Sequence, residues 1–306
     1  MGDHIQETIP AALDGERIDR VVALLGDLSR SAVAKLVTAG AVRVDGIPSK
    51  TPSARVKEGQ QLDVDLPDAV DPRPMPDASI QFEVRHEDDD IIVIDKPPGL
   101  VVHPGAGNTD QTLVNGLVHR YPELADVGEV HRPGIVHRLD RGTSGLLVVA
   151  RNAAAYEELV RQMSAHEPER IYTALTWGHL ESDRGTIDAP IGRSPRHPTR
   201  MAVSDQGRRA VTHYRVDQRF SSPNETTLVT CELETGRTHQ IRVHLRAIGH
   251  SVVGDRDYDG GRPGLDPGRP FLHAGELRFV HPVSGKKIDV RSPLPADLVA
   301  CLAECS

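Results

Sequence analysis

Residues 67–79 read PDAVDPRPMPDAS, and four prolines in so short a stretch, with little apolar content, divide the chain. Each proline fixes its own φ and removes a backbone donor, so this density favours a semi-extended linker over helix or paired strand. Each flank must therefore build its own core. Before the break, an N-terminal extension (1–16) leads into a compact unit, 17–66. RIDRVVALL has the apolar spacing of a short amphipathic helix. Ser29 can cap a second helix, RSAVAKLVTA, with Val33, Leu36 and Val37 on one face and Gly40 just past its end. AVRVDGIPSK then gives a strand and an Asp45-Gly46 turn, and ARVKEGQQLDVDL a further turn and strand.

From residue 80 to 306 the pattern mixes helices and strands. IIVID is a buried strand running into KPPGLVVHPG. TDQTLVNGLVHR reads as a helix capped by Thr109 or Asp110, with Leu113, Val114, Leu117 and Val118 inward. Asn152 can cap AAAYEELVRQMSAH, whose Tyr156, Leu159, Val160 and Met163 form a core face. RIYTALTWG, AVTHYRV and TTLVTCEL are strands. THQIRVHLRAIG fits both periods; Thr238 as a cap and Gly249 as a stop favour helix.

At 306 residues, with 38% hydrophobic and 26% charged content, the chain is of ordinary globular composition. The first twenty residues lack the cationic start and apolar core of a signal peptide, and no run approaches a membrane span. With only three cysteines besides, the cytoplasm is the expected compartment. The net charge of −8 argues at first against a nucleic-acid partner. Its distribution argues the other way: residues 193–215 hold six Arg and one acid, and residues 237–246 three Arg and none.

The stretch GIVHRLDRGTSGLLVVAR (134–151) sets Asp140 between Arg138 and Arg141, at the junction of two apolar, strand-like runs. On an extended strand Arg138 would lie on the same side as Asp140. A D-R-G turn can need Asp and Gly for backbone reasons alone. The carboxylate could instead be a reactive group held by cations. No second carboxylate stands at a persuasive position for glycosidase-type chemistry, and no G-x-S-x-G elbow or phosphate-binding glycine loop occurs. Fifteen His suggest metal, but HRPGIVH and HQIRVH lack a Cys or carboxylate ligand set at the usual spacing.

These stretches together resemble the RluA/RluD family of pseudouridine synthases. GIVHRLDRGTSGLLVVAR matches its central motif, IIVIDKPPGLVVHPG its opening one, ERIYTAL its second and LETGRTHQIRVHLRAIGH its third. RHPTRMAV with AVTHYRV, and FLHAGELRFVHP, follow its layout. Residues 17–66 resemble the small S-four-like RNA-binding domain, with Arg30, Lys35 and Arg43 near the helix–strand junction. The resemblance implies an α+β catalytic domain on a mixed, largely antiparallel sheet, preceded by a small α/β RNA-binding domain.

It further implies isomerisation of uridine to pseudouridine, most naturally in large-subunit ribosomal RNA, with transfer RNA as an alternative. A redox-neutral isomerisation implies no cofactor and no metal, and a monomer is expected. By the same resemblance Asp140 is the essential carboxylate, with Arg242 as its guanidinium partner and Tyr172 packed on the target uracil. Arg138 would displace the target nucleotide. Arg196, Arg200, Arg208 and Arg209 would grip RNA backbone. Lys96, His103 and His137 take supporting roles. Two other functions are distinguishable: a non-catalytic RNA-binding or ribosome-assembly factor would tolerate loss of Asp140, and a hydrolase would release free uracil.

Overall fold

The computed structural model describes residues 4–26, 28–66, 73–105, 108, 110–197 and 199–306. They fall into two units, with the boundary between residues 72 and 73. The first comprises β1 (His4–Thr8), α1 (Ile18–Leu25), α2 (Arg30–Thr38), β2 (Val42–Val44), β3 (Ile47–Pro48) and β4 (Gln61–Asp65). The strands form an antiparallel sheet of order β1-β4-β2-β3. Ile18, Val21 and Val22 of α1 and Val33 of α2 pack with Leu62 and Val64 of β4 in one buried cluster.

Local chemistry sets these boundaries. Ser29 Oγ accepts the Ala32 amide at 3.2 Å, a cap worth about 1 kcal/mol. Asp45 and Gly46 both take positive φ, 50° and 76°, as the tight turn between β2 and β3 requires. The expected N-terminal extension is corrected here: His4–Thr8 pairs with Gln61–Asp65 residue for residue, closing one edge of this sheet.

The second unit runs through β5 (Glu83–Glu87), β6 (Ile91–Lys96), α3 (Leu113–Arg120), β7 (Ser144–Ala150), α4 (Ala153–Ser164), β8 (Glu169–Trp177), β9 (Arg184–Asp188), β10 (Ile191–Arg193), β11 (Met201–Val203), β12 (Val211–Phe220), β13 (Thr226–Leu233), α5 (Gln240–Ala247), β14 (Leu272–Val280), β15 (Lys287–Arg291) and α6 (Ala296–Ala303). Its sheet has the order β5-β6-β7-β14-β8-β13-β12-β9, with β15 on the remaining length of β14. Every pairing is antiparallel except β7 with β14. That exception depends on Gly145. Its φ is +115°, and a Cβ there would lie 2.3 Å from the Ala274 carbonyl oxygen. β6 and β7 carry unbroken apolar runs because both faces of the sheet are covered at that point.

Several sequence expectations shift. α3 starts later than expected: the capping box is Thr112 with Asn115, whose Oδ1 accepts from the Thr112 amide at 2.9 Å. Asp110 is not the cap, and Thr109 lies outside the described residues. Of the linker, residues 67–72 also lie outside them. The rest is held to α3, since Asn115 Nδ2 donates to the Met75 carbonyl and the Asp77 amide to that of Asn115. In α4, Asn152 caps as expected. Leu159 is fully buried and Tyr156 and Met163 pack half-buried against the same cluster, as expected, whereas Val160 is exposed and Ala155 and Gln162 are buried instead.

Candidate active site

Asp140 stands four residues before Ser144, the first residue of β7, where the lone parallel pairing opens the sheet. The apolar run before Asp140 does not form a strand. Ile135 makes only an isolated bridge with Val149, and residues 136–140 are irregular, so Arg138 and Asp140 do not share a strand face. The turn after Asp140 is fixed from several sides. The Thr143 amide donates to the Asp140 carbonyl at 3.1 Å and the Gly99 amide to that of Arg141 at 2.7 Å. Lys96, fully buried, donates from Nζ to the carbonyls of Pro97 (2.8 Å), Leu100 (2.9 Å) and Arg141 (3.4 Å). Burial pushes its ammonium down to about 7, with the Asp140 charge acting the other way.

The turn faces a cavity of about 500 Å³, within the usual range for a small-molecule site. Opposite Asp140 lies α5. Thr238 is not its cap; His239 is, in the left-handed region at φ 58°, a conformation that a non-glycine residue adopts at a cost. His239 Nδ1 bonds the Tyr258 hydroxyl at 2.7 Å, which also accepts the Met201 amide, and its Nε2 stops 4.0 Å from Asp140.

Arg242, one turn into α5, is almost wholly buried and was expected to offer its fork to Asp140. The fork goes elsewhere. Nε and Nη2 hold the two oxygens of fully buried Asp255 at 2.7 and 2.8 Å, and Nη2 also reaches Asp257 at 3.0 Å. Only Nη1 is left for Asp140, at 3.3 Å, while the Tyr258 ring lies under the guanidinium. Asp255 and Asp140 hold the Arg242 charge on at any working pH, against the cost of burial. Asp140 is thus held through one oxygen. Among the described residues Oδ1 accepts no hydrogen bond. A carboxylate held in this way keeps one oxygen for a reactant.

Tyr172 lies on β8, buried, on the cavity wall beside Asp140, and burial pushes its phenol up to about 12. It therefore stays neutral and offers a flat apolar face. Arg170 precedes it by two residues on the same face. His137 Nε2 accepts the Val148 amide at 3.1 Å, and burial together with Arg170 drives its ring down to about 3, so it is neutral. His103 is lowered by burial and by Arg138 and Arg132, and its buried Nδ1 has no partner. Among the described residues Asp140 is the single acid on a cavity wall that carries six arginines.

The expected RNA-contacting cations divide into free and occupied. Arg138 and Arg208 line the cavity mouth, exposed and, among the described residues, without a side-chain partner. Arg196 and Arg200 sit in the loop joining β10 to β11, away from the cavity wall. Arg30 and Lys35 lie on α2. Arg43 is paired with Asp65 at 2.7 Å and Arg209 with Glu234 at 2.9 Å, so both spend charge within the protein. Sequence reasoning missed Asp255, Asp257, His239 and Tyr258. The alternating acids of GDRDYDG, thirteen residues after Arg242, were the available signal.

Among the described residues one group has metal-ligand proximity: Asp88, Asp90 and His281. His281 Nδ1 accepts the amides of Val283 and Ser284, so Nε2 carries the proton and donates to Asp88 at 3.1 Å. The ring is a donor here, not a ligand.

Two family models match the chain: RNA pseudouridylate synthase over residues 90–247 and S4 domain over residues 16–62. An uncharacterised RNA pseudouridine synthase of Bacillus subtilis is 44% identical over 286 residues, which cover 92% of each chain. A ribosomal large subunit pseudouridine synthase D of Nitrosomonas europaea is 44% identical, over 97% of this chain and 87% of its own. Among solved structures, human RNA pseudouridylate synthase domain containing 1 superposes with a TM-score of 0.57 at 29% identity, over 74% of this chain and 89% of its own.

Proposed function

The chain belongs to the RNA pseudouridylate synthase family and is an isomerase that converts uridine in RNA to pseudouridine; we propose that its substrate is large-subunit ribosomal RNA and that Asp140 carries the reaction. The supporting observation for Asp140 is its carboxylate in the cavity, held through one oxygen by Arg242 and open at the other. In the reaction the N1–C1′ bond of uridine breaks with its electron pair leaving on the base. The base turns, C5 bonds to C1′, and the proton displaced from C5 is balanced by one gained at N1. Nothing is consumed, so the proposal includes neither cofactor nor metal.

The carboxylate meets the positive charge that develops at C1′, and Tyr172 gives the uracil a stacking face. Arg138, free at the cavity mouth, displaces the target nucleotide from its stack, since the bond is otherwise out of reach. Arg208 with Arg196 and Arg200, and Arg30 and Lys35 of the S4 domain, hold phosphates and set register. The ribosomal target is supported by relatives from Nitrosomonas, Xanthomonas and Vibrio, 40–44% identical, which are named ribosomal large subunit pseudouridine synthases D. A cytoplasmic monomer suits such a substrate; among the described residues no helix is long and apolar enough to cross a membrane.

The test is pseudouridine mapping of ribosomal and transfer RNA from cells lacking the gene, complemented with wild type or with Asp140→Asn. The expected outcome is loss of specific large-subunit marks that wild type restores and Asp140→Asn does not. Marks confined to transfer RNA would overturn the substrate. Full restoration by Asp140→Asn would overturn the role of the carboxylate.

A further inference from the structure

The inference concerns Arg170, which no motif reading singled out, and it rests on the uridine-isomerising reading above. Arg170 is 7% exposed, yet it makes no ion pair among the described residues. Its Nη2 donates to two main-chain carbonyls at the end of β13, Leu233 at 3.4 Å and Glu234 at 3.0 Å. Its Nε is buried with no acceptor among the described residues. Burial lowers its pKa, and the only group acting the other way is the Tyr172 phenol. Buried guanidinium groups ordinarily carry a carboxylate, because desolvating a lone cation is expensive. Arg242, across the same cavity, contacts three.

A second observation points the same way. Gly236 lies on the cavity wall without the positive φ that would demand glycine. A Cβ there would come within 2.7 Å of Arg170 Nη1. Glycine at 236 is thus explained by space: it leaves the guanidinium uncovered on the cavity side.

We infer that Arg170 is a catalytic residue whose uncompensated guanidinium takes up the negative charge that appears on the uracil ring when the N1–C1′ bond breaks. The bond's electron pair passes to the base, and the resulting anion spreads over N1, O2 and O4 of the detached ring. Tyr172, the proposed stacking face, is on the same strand face two residues away, so the ring is brought to a buried cation that has no acidic partner among the described residues. The charge is removed again when the ring's electron pair forms the C5–C1′ bond, and the proton then lost from C5 is matched by one gained at N1. A phosphate is the less suitable occupant: Arg138 and Arg208 stand exposed at the mouth for that, whereas Arg170 lies deep. A preorganised cation costs no reorganisation at the moment of cleavage and is strong because the site is dry.

The experiment uses the full chain and transcribed large-subunit ribosomal RNA made with uridine or with 5-fluorouridine. Fluorine withdraws electrons from the ring, so the detached fluorinated base is the more stable anion and depends less on Arg170. Formation of the C5–C1′ bond is followed in single turnover by nuclease digestion and mass spectrometry. Arg170→Gln is expected to slow the uridine substrate by about 10²–10³-fold, the loss of one preorganised donor, and the fluorinated one at least about tenfold less. Gly236→Ala, which crowds Nη1 but keeps the Arg170 charge, should show the same bias on a smaller scale, and it serves if the Gln variant does not fold.

Equal losses on both substrates would reduce Arg170 to a brace for the β13–α5 turn. Weakened RNA binding with an unchanged saturating rate would make it a phosphate contact. Either result overturns the inference. A wild-type enzyme that forms no pseudouridine on this RNA would instead overturn the substrate reading.

Discussion

The two walls of the cavity treat charge in opposite ways. On the α5 side the buried charges are answered within the protein: Asp140 by Arg242, and Arg242 by Asp255 and Asp257. On the β8 side and around the mouth, Arg170, Arg138, Arg208 and Arg237 have no acidic partner among the described residues. The compensated wall is rigid before RNA arrives, because a fully bonded guanidinium has one orientation. The uncompensated wall is held at a cost that only an incoming negative charge can remove. The first wall is thus suited to positioning a reactive group, and the second to receiving charge from outside, whether a phosphate or a departing base.

Removing the reactive group breaks the first wall most severely. Asp140→Asn is expected to lower kcat by about 10⁴-fold or more while leaving RNA affinity within a few-fold, measured by pseudouridine formation and by filter binding. A comparable loss of affinity would place Asp140 in binding rather than in the reaction.

Next in size is Asp255→Asn. It leaves a buried guanidinium without its bidentate partner, so the unfolding free energy should drop by about 3–5 kcal/mol in urea titrations. Arg242 would then turn toward Asp140, and kcat should fall by about 10²-fold, the usual result of a misplacement near 1 Å. If stability falls and kcat does not, the orientation of Arg242 is irrelevant to the reaction.

Much of this was legible beforehand, and what was not has a physical pattern. The S4 unit could be read almost residue by residue, because Ser29, the Asp45-Gly46 turn and Gly40 each fix their own neighbourhood. Its edge strand was missed because pairing His4–Thr8 with Gln61–Asp65 spans more than fifty residues and leaves no periodic signal in a mostly exposed pentapeptide. The motifs brought Asp140, Tyr172 and Arg242 to one cavity as expected. They could not disclose that the Arg242 fork is taken by Asp255, since a partner thirteen residues away in a loop obeys no helical or strand spacing. Arg170 and Gly236 were passed over for a related reason. An unanswered charge is visible only once every possible answer has been placed in space.

The mouth offers a gentler way to sharpen the contrast. Arg138→Ala and Arg208→Ala should each weaken RNA binding and reduce the slope of log Kd against log salt by about one, with thermal stability unchanged. Arg43→Ala and Arg209→Ala should change the slope less, because Asp65 and Glu234 already neutralise those cations. Equal slopes for all four would show that internal pairing does not withhold a cation from RNA.

The smallest effect concerns a charge that the uncompensated wall must not acquire. His137 lies beside Arg170, and burial first, then Arg170, holds its ring at about 3 against an ordinary 6.5. The folded protein therefore refuses a proton that the unfolded chain accepts anywhere between those values. Stability is complete above 6.5 and declines as pH falls toward 3, by at most about 1.4 kcal/mol per pH unit from this ring. His137→Asn can still accept the Val148 amide but binds no proton in that range. Urea unfolding from about pH 7 to about pH 4.5 should show a flatter acid limb for the variant than for wild type. Parallel limbs would mean that the ring takes up its proton in the folded state, and hence that the wall tolerates a second cation beside Arg170.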